Sequence, residues 1–321
     1  MIDLATLEAS AALVHRIVPP TPQYCWPLLS RRLGCELWVK HENHTPTGAF
    51  KIRGGVVYLD EIRRSRPDIR GVVTATTGNH GQSVALAATR LGMEATIVVP
   101  HGNSIEKNRA MKSFGAHLVE AGYDFQAAFE HALALAEREK LHFVRSYHPL
   151  LVRGVASYAL ELFDAVPDLD TVYVPIGLGS GISGVIAARE ALGKTTEIVG
   201  VVAERAPTYA LSFAAGKPVS TASADTMAGG LAVRVPDPEA LDVILRGVAQ
   251  IVTVSEAEIR RAMRILFTDT HNVAEGAGAA PLAAALQERQ RLSGKRVAVI
   301  QSGGNIDRAL FAEVLAEDDA D

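Results

Sequence analysis

Short, almost wholly apolar runs alternate with stretches of helical periodicity along nearly the whole chain. "ELWVKHE" (36–42) predicts a strand, and Phe50 to Arg64 carries apolar positions at helical spacing. "GVVTATT" (71–77) predicts a strand, and "NHGQSVALAATRLG" (79–92) a helix with an alanine-rich buried face. "ATIVVP" (95–100), a helix over 105–114, "HLVEAG" (117–122), a helix over 124–140 and "HFVRS" (142–146) continue the alternation. A second series holds a helix over 150–164, "TVYVPI" (171–176), a helix over 184–193 and "EIVGVVAE" (197–204). It goes on with "IVTVS" (251–255), a helix over 256–270, the alanine-rich 278–292 and "VAVIQS" (297–302).

Apolar strands separated by helices predict an α/β protein with open, twisted, mostly parallel sheets covered by helices on both faces. Ligands in such folds bind beyond the carboxyl ends of strands, so the strand-to-helix loops are where chemistry is expected. The segment 216–238 has little periodicity and reads as a long loop or lid. The acidic end "EDDAD" reads as frayed.

At 321 residues the chain suits two lobes sharing a cleft. Hydrophobic content of 48% and charged content of 21% place it with globular rather than disordered proteins. A formal charge of −4, mixed along the chain, argues against nucleic acid as the main partner, which needs a clustered basic surface. No apolar stretch is long enough to span a bilayer, and "MIDLATLEASAALV" lacks the basic start of a secretory signal. Cys25 and Cys35 form no disulfide framework and are expected to stay thiols in a reducing, cytoplasmic compartment.

Three strand-end loops carry chemistry. "VPIGLGSGISG" (174–184) frees backbone N–H groups at Gly177, Gly179, Gly181 and Gly184 to converge on a phosphate at a helix start. Gly179-x-Gly181-x-x-Gly184, with Glu204 twenty positions later, also fits a dinucleotide pattern, which alone would suggest NAD. "TTGNHGQS" (76–83) presents the hydroxyls of Thr76 and Thr77 and the amide of Asn79 at a helix start, suited to a carboxylate. "QSGGN" (301–305) brings Ser302 and two glycines to the end of the last strand.

Lys51, in "HTPTGAFKIRGG" (44–55), sits among these loops, with Gly48 and Gly54 on either side. A lysine desolvated in such a cleft becomes a nucleophile toward an aldehyde. The cofactor that joins a phosphate, an aldehyde and an electron-accepting heteroaromatic ring is pyridoxal phosphate. NAD binding would leave Lys51, Asn79 and Ser302 without a task.

On these residues the sequence resembles the serine/threonine dehydratase family of fold type II pyridoxal-phosphate enzymes, which includes serine racemase and shares a tryptophan synthase β-like fold. "HENHTPTGAFKIRGG" is similar to the family's lysine motif, "TTGNHGQS" to its Ser-x-Gly-Asn-His loop, "GLGSG" to its tetraglycine phosphate loop, and "AEGAGAAPLAAAL" and "SGGN" to its last two motifs. The likeness runs from about residue 20 to 310 in one order.

The resemblance implies Lys51 as the cofactor-linking lysine with Phe50 beside the ring, and Asn79 on the ring hydroxyl. It implies Gly177, Leu178, Gly179, Ser180 and Gly181 around the phosphate, Glu275 near the cofactor and Ser302 on the pyridine nitrogen. Thr76, Thr77, Gly78, Asn79 and His80 would hold the substrate carboxylate, with Thr77 where racemases keep a second base. A neutral Ser302 would make the ring a weak electron sink and favour prompt loss of a β-hydroxyl, so the expected reaction is elimination of water and ammonia from a 2-amino-3-hydroxy acid such as L-threonine or L-serine. The freed Lys51 amine would remove the Cα proton. The large domain is expected to comprise 1–45 plus 147–321, and the small, closing domain 46–146. A homodimer is the family's usual assembly.

Several positions depart from the family pattern. Leu178 and Ser180 replace glycines, Gly229 replaces an aspartate, and "RGVAS" (153–157) lacks the usual Gly-Gln-Gly-Thr. Glu204 is present, but Ala210 falls where a metal-binding aspartate is expected, so no metal is predicted. The chain ends soon after "SGGN", which suggests the catabolic type without a regulatory domain. The side-chain pocket is expected from 147–157 and 225–232. A racemase, a β-replacement synthase, a dehydratase of 3-hydroxyaspartate or phenylserine, and a non-catalytic pyridoxal-binding protein remain alternatives.

Overall fold

The computed structural model describes residues 2–318. In chain order the strands are β1 (Gln23–Cys25), β2 (Glu36–His41), β3 (Gly71–Ala75), β4 (Glu94–Val99) and β5 (His117–Glu120). They continue with β6 (His142–Phe143), β7 (Thr171–Pro175), β8 (Glu197–Ala203), β9 (Gln250–Val254) and β10 (Arg296–Gln301). Six of them form one sheet in the order β1-β2-β10-β7-β8-β9, and four form a second in the order β5-β4-β3-β6. All neighbours are parallel except β1, which runs antiparallel to β2.

The central strands β3 and β7 are buried along their whole length, as expected for parallel strands covered on both faces. One core layer packs β2, β7, β8 and β10 against the helices Glu256–Thr270 and Gly276–Gln287, and a second packs the other face against Pro149–Ala165 and Ser180–Ala191. The four-stranded sheet has its own core, from Ile52, Val56, Leu59, Val72, Ile97 and their neighbours. The N-terminal helix Leu4–His15 joins that core through Val14 and reaches Ala156 and Ala187 through Leu7.

Several element limits differ from the sequence-based expectation. The strand expected over 142–146 shrinks to His142–Phe143; beyond it Val144 donates its N–H to Val73 and accepts from the Thr74 hydroxyl, and the pairing stops. The helix expected at 184 begins at Ser180, so Gly181 and Gly184 lie inside it. Glycine weakens isolated helices, but here Gly184 faces Val155, where a Cβ would come within 2.9 Å. The alanine-rich helix spans Gly276–Gln287, followed by a 3₁₀ turn at Arg289–Leu292. Helices Thr208–Ala215 and Pro238–Gly247 flank the predicted long loop, which contains one 3₁₀ turn at Gly229–Leu231. The tail expected to fray is anchored at Glu317, whose carboxylate pairs with Arg260 and Arg264 at 2.5 Å; Asp319, Ala320 and Asp321 lie outside the described residues.

Candidate active site

The lysine segment and the last strand's loop are joined through the main chain. Ala49 and Gly303 form an antiparallel bridge, Phe50 N–H donates to the Ser302 carbonyl (3.0 Å), and Gly304 N–H donates to Gly48 (2.9 Å). Lys51 is therefore held beside Ser302 at the carboxyl end of β10. It opens the helix Lys51–Ser65, whose Gly54 crosses the helix Pro149–Ala165, where a Cβ on Gly54 would lie 2.8 Å from the Leu151 carbonyl oxygen.

Lys51 retains some solvent access, and its amine makes no hydrogen bond among the described residues. Nζ lies 5.1 Å from the centre of the Phe50 ring. Desolvation pulls its pKa below the ordinary lysine value, partly opposed by the negative charge of Glu275. Ser302 is buried, and its hydroxyl is likewise unbonded among the described residues.

Gly179, in the left-handed region at φ 101°, turns the chain from β7 into the helix Ser180–Ala191. The backbone N–H groups from Leu178 to Gly181 find no acceptor among the described residues, although Gly179, Ser180 and Gly181 are buried. Tyr209 and Tyr158 brace this turn, donating to the carbonyls of Leu178 (3.0 Å) and Gly181 (3.1 Å). Phe50 packs edge-on against Tyr158, which brings the glycine turn next to the lysine.

On the opposite side, Asn79 opens the helix Asn79–Arg90. Its amide is fixed at both ends: Nδ2 donates to Glu275 (2.7 Å), and Oδ1 accepts from Asn305 (2.8 Å). Burial raises the Glu275 carboxyl above the usual range, against the charges of Lys107 and Lys51 and the Asn79 bond. His80 is buried, with Nε2 unpartnered; desolvation and then the Lys51 charge hold its pKa down to about 3, so the ring is neutral. Thr76 is buried and accepts from Gly78 N–H (3.1 Å), whereas Thr77 is exposed on the loop.

Several of the predicted residues are brought together by the Ala49–Gly303 bridge and the Asn79–Glu275 hydrogen bond. One pocket here is lined by Lys51, His80, Ser146, Leu151, Val155 and Ser180. A second is lined by Lys107, Met227, Gly230, Glu275, Asn305 and Asp307. Of the segments expected to wall the substrate pocket, 147–157 reaches the first through Leu151 and Val155, and 225–232 the second through Met227 and Gly230.

Sequence reasoning missed Lys107, whose only signal is spatial, and gave no role to Asn305 at the end of "QSGGN". It also missed a charge cluster behind the lysine, buried except for the partly buried Glu161. Arg53 there donates to both oxygens of Glu42 (2.7 and 3.0 Å) and of Glu161 (2.6 and 3.0 Å), while Lys40 reaches Glu161 at 2.6 Å. Glu42 and Arg53 stand in the lysine motif itself, but a charged residue beside a strand or on a helix reads as solvated unless its partners are known.

A row of buried, unbonded N–H groups at a helix start fits a phosphate, and an unpaired, desolvated amine beside it fits an aldehyde. The fold and this cleft define a lysine-dependent α/β enzyme that works through pyridoxal phosphate. The chain belongs to the pyridoxal-phosphate dependent enzyme family, whose model matches residues 14–303. It is 35% identical over 319 residues to an L-threonine ammonia-lyase of Thermotoga maritima, covering 98% of this chain and 78% of that one. It is 32% identical to the catabolic L-threonine dehydratase of Escherichia coli, covering 98% and 96%. Maize serine racemase superposes with a TM-score of 0.91 at 28% identity, covering 97% and 96%. The dinucleotide reading of the glycine loop is set aside by this family membership, and the exposed Glu204 is not needed to hold a ribose.

Proposed function

We propose that the protein is a threonine dehydratase of the catabolic type, releasing ammonia and 2-oxobutanoate from L-threonine, with L-serine as a second substrate. The observation that carries this is the main-chain tie between the segment that ends in Lys51 and the one that holds the neutral Ser302, with His80 of the 76–80 loop lining the same pocket as Lys51. Relatives named for threonine breakdown support the substrate.

In this reading the N–H groups of Leu178 to Gly181 hold the cofactor phosphate, Phe50 flanks the ring and Asn79 and Ser302 contact its polar atoms. The bound cofactor supplies an electron sink for the carbanion formed at Cα. Lys51, its pKa lowered by burial, is the base that takes the Cα proton, which needs an uncharged amine within reach. Thr76, Thr77, Gly78, Asn79 and His80, as the loop that opens the helix Asn79–Arg90, hold the carboxylate. Residues 46–146 form a smaller lobe that closes on the rest, a division supported by β3 to β6 pairing only with one another. A cytoplasmic homodimer completes the proposal, on the family resemblance.

The test is release of ammonia and 2-oxo acid from L- and D-serine, L-threonine, allo-threonine, 3-hydroxyaspartate and phenylserine. Release from L-threonine is expected, with L-serine second. Release confined to phenylserine or 3-hydroxyaspartate would replace the substrate assignment, and no release from any of them would end the dehydratase reading.

Gly177 offers a check on the phosphate turn. A Cβ there would fall against the Gly230 carbonyl oxygen, which belongs to backbone and has little room to move. Gly177→Ala is expected to weaken cofactor retention about tenfold, in line with ordinary overpacking costs. Equilibrium dialysis against pyridoxal phosphate measures this; unchanged retention would remove Gly177 from the site.

A further inference from the structure

Lys107 lies in the first turn of the helix Ile105–Ser113, outside every loop that sequence reasoning selected. Its side chain runs beside the 76–80 loop: a Cβ on Gly78 would lie 3.2 Å from its Cδ and 3.9 Å from its Nζ. The side chain is partly buried and lines the cleft together with Glu275, Asn305 and Asp307.

Among the described residues its ammonium has no hydrogen bond and no ion pair, although two carboxylates face the same space. Both are engaged elsewhere. Glu275 accepts from the Asn79 amide (2.7 Å), and Asp307 accepts from the Ser104 hydroxyl (2.5 Å). Lys107 also acts at a distance on Glu275, lowering its carboxyl against the larger effect of burial. A partly buried ammonium that lines a pocket and has no protein acceptor is free to take up an anion that enters there. Gly78, lacking a side chain, leaves the way open between this ammonium and the loop.

We propose that Lys107 is a positioning residue that recognises the carboxylate of the incoming amino acid, acting with the 76–80 loop. This deepens the assignment of that loop to the substrate carboxylate and rests on it. The arrangement requires a free carboxylate and discriminates against amino acids whose carboxyl group is an amide. No bond is made or broken by Lys107; its contribution is a charge-assisted hydrogen bond, formed once the substrate is in the cleft.

The test is calorimetric titration of the cofactor-loaded enzyme with L-alanine, which has no β-leaving group, and with L-alaninamide, which has no carboxylate. Lys107→Met is expected to weaken L-alanine about tenfold or more and to leave L-alaninamide unchanged, while Lys107→Arg restores most of the L-alanine affinity. Equal weakening of both ligands would mean a structural role and overturn the proposal, as would unchanged L-alanine binding. A wild-type enzyme that does not bind L-alanine would also overturn it. A wild-type enzyme that binds L-alanine but releases nothing from threonine would sink the dehydratase reading alone.

Discussion

Replacing Lys51 by alanine is expected to reduce ammonia release from L-threonine by at least about 10³-fold, because in the proposed mechanism one side chain both anchors the cofactor and moves the Cα proton. The variant should also lose the visible absorption that the cofactor gains on bonding to the protein. Folding should survive: the amine makes no hydrogen bond among the described residues, and the helix it opens is held by Ile52, Val56 and Leu59 in the core. Comparing the melting temperature of the variant with that of the apo wild type tests this. A variant that melts as the apo enzyme does and keeps a tenth of its turnover would remove Lys51 from the chemistry. The pH profile carries a further sign. Burial lowers the Lys51 pKa, so the uncharged base persists to lower pH than for a free lysine, and activity should fall as the pH drops through that lowered value.

The second large effect is on stability. Arg53→Met should destabilise the fold by about 3–5 kcal/mol, the usual consequence of removing one partner from a buried ion pair. The cluster behind the active-site lysine is balanced, with Lys40 and Arg53 against Glu42 and Glu161, and the substitution strips one positive charge from it. Glu161 would then keep Lys40 and His15, while the buried Glu42 would keep only the Thr21 hydroxyl as a hydrogen-bond partner. Chemical denaturation of wild type and variant at neutral pH measures the loss; a change below about 1 kcal/mol would show that water or a rearrangement compensates. The double variant Arg53→Met with Glu42→Gln should lose less than the sum of the single changes, since neighbours in one network do not add.

The same cluster predicts acid sensitivity. Burial alone would raise the Glu161 carboxyl, but the Arg53 and Lys40 charges and their hydrogen bonds outweigh it, and its pKa lies below the ordinary 4.5. A depressed folded-state value means stability fully present above 4.5 and lost as the pH falls through the lowered value.

The alternation of strands and helices was legible because parallel strands covered on both faces are mostly apolar, and β3, β4, β7 and β10 are so apart from a few polar residues. The lysine, asparagine and serine motifs were legible because each stands at a strand end with the small residues that close approach requires. The start of the glycine-rich helix was not, since Gly181 and Gly184 read as loop residues, and the close approach to Val155 that calls for a glycine at 184 is visible only in three dimensions. Lys107 escaped notice for a related reason: it contributes through a contact with residues about thirty positions earlier, and no local pattern records that. The buried charges escaped because burial of a salt bridge is a property of four segments together, residues 21, 40–42, 53 and 157–161.

The bridge between Ala49 and Gly303 has a consequence for how such an enzyme diversifies. It ties the reactive amine to residue 302 through peptide groups, not side chains. In the proposed site, a substitution at Ser302 would therefore exchange the partner offered to the cofactor ring while the lysine stays where it is. Electronic character and attachment become separable parts, so one chain can drift between reaction outcomes by changing a single side chain without first rebuilding its active centre.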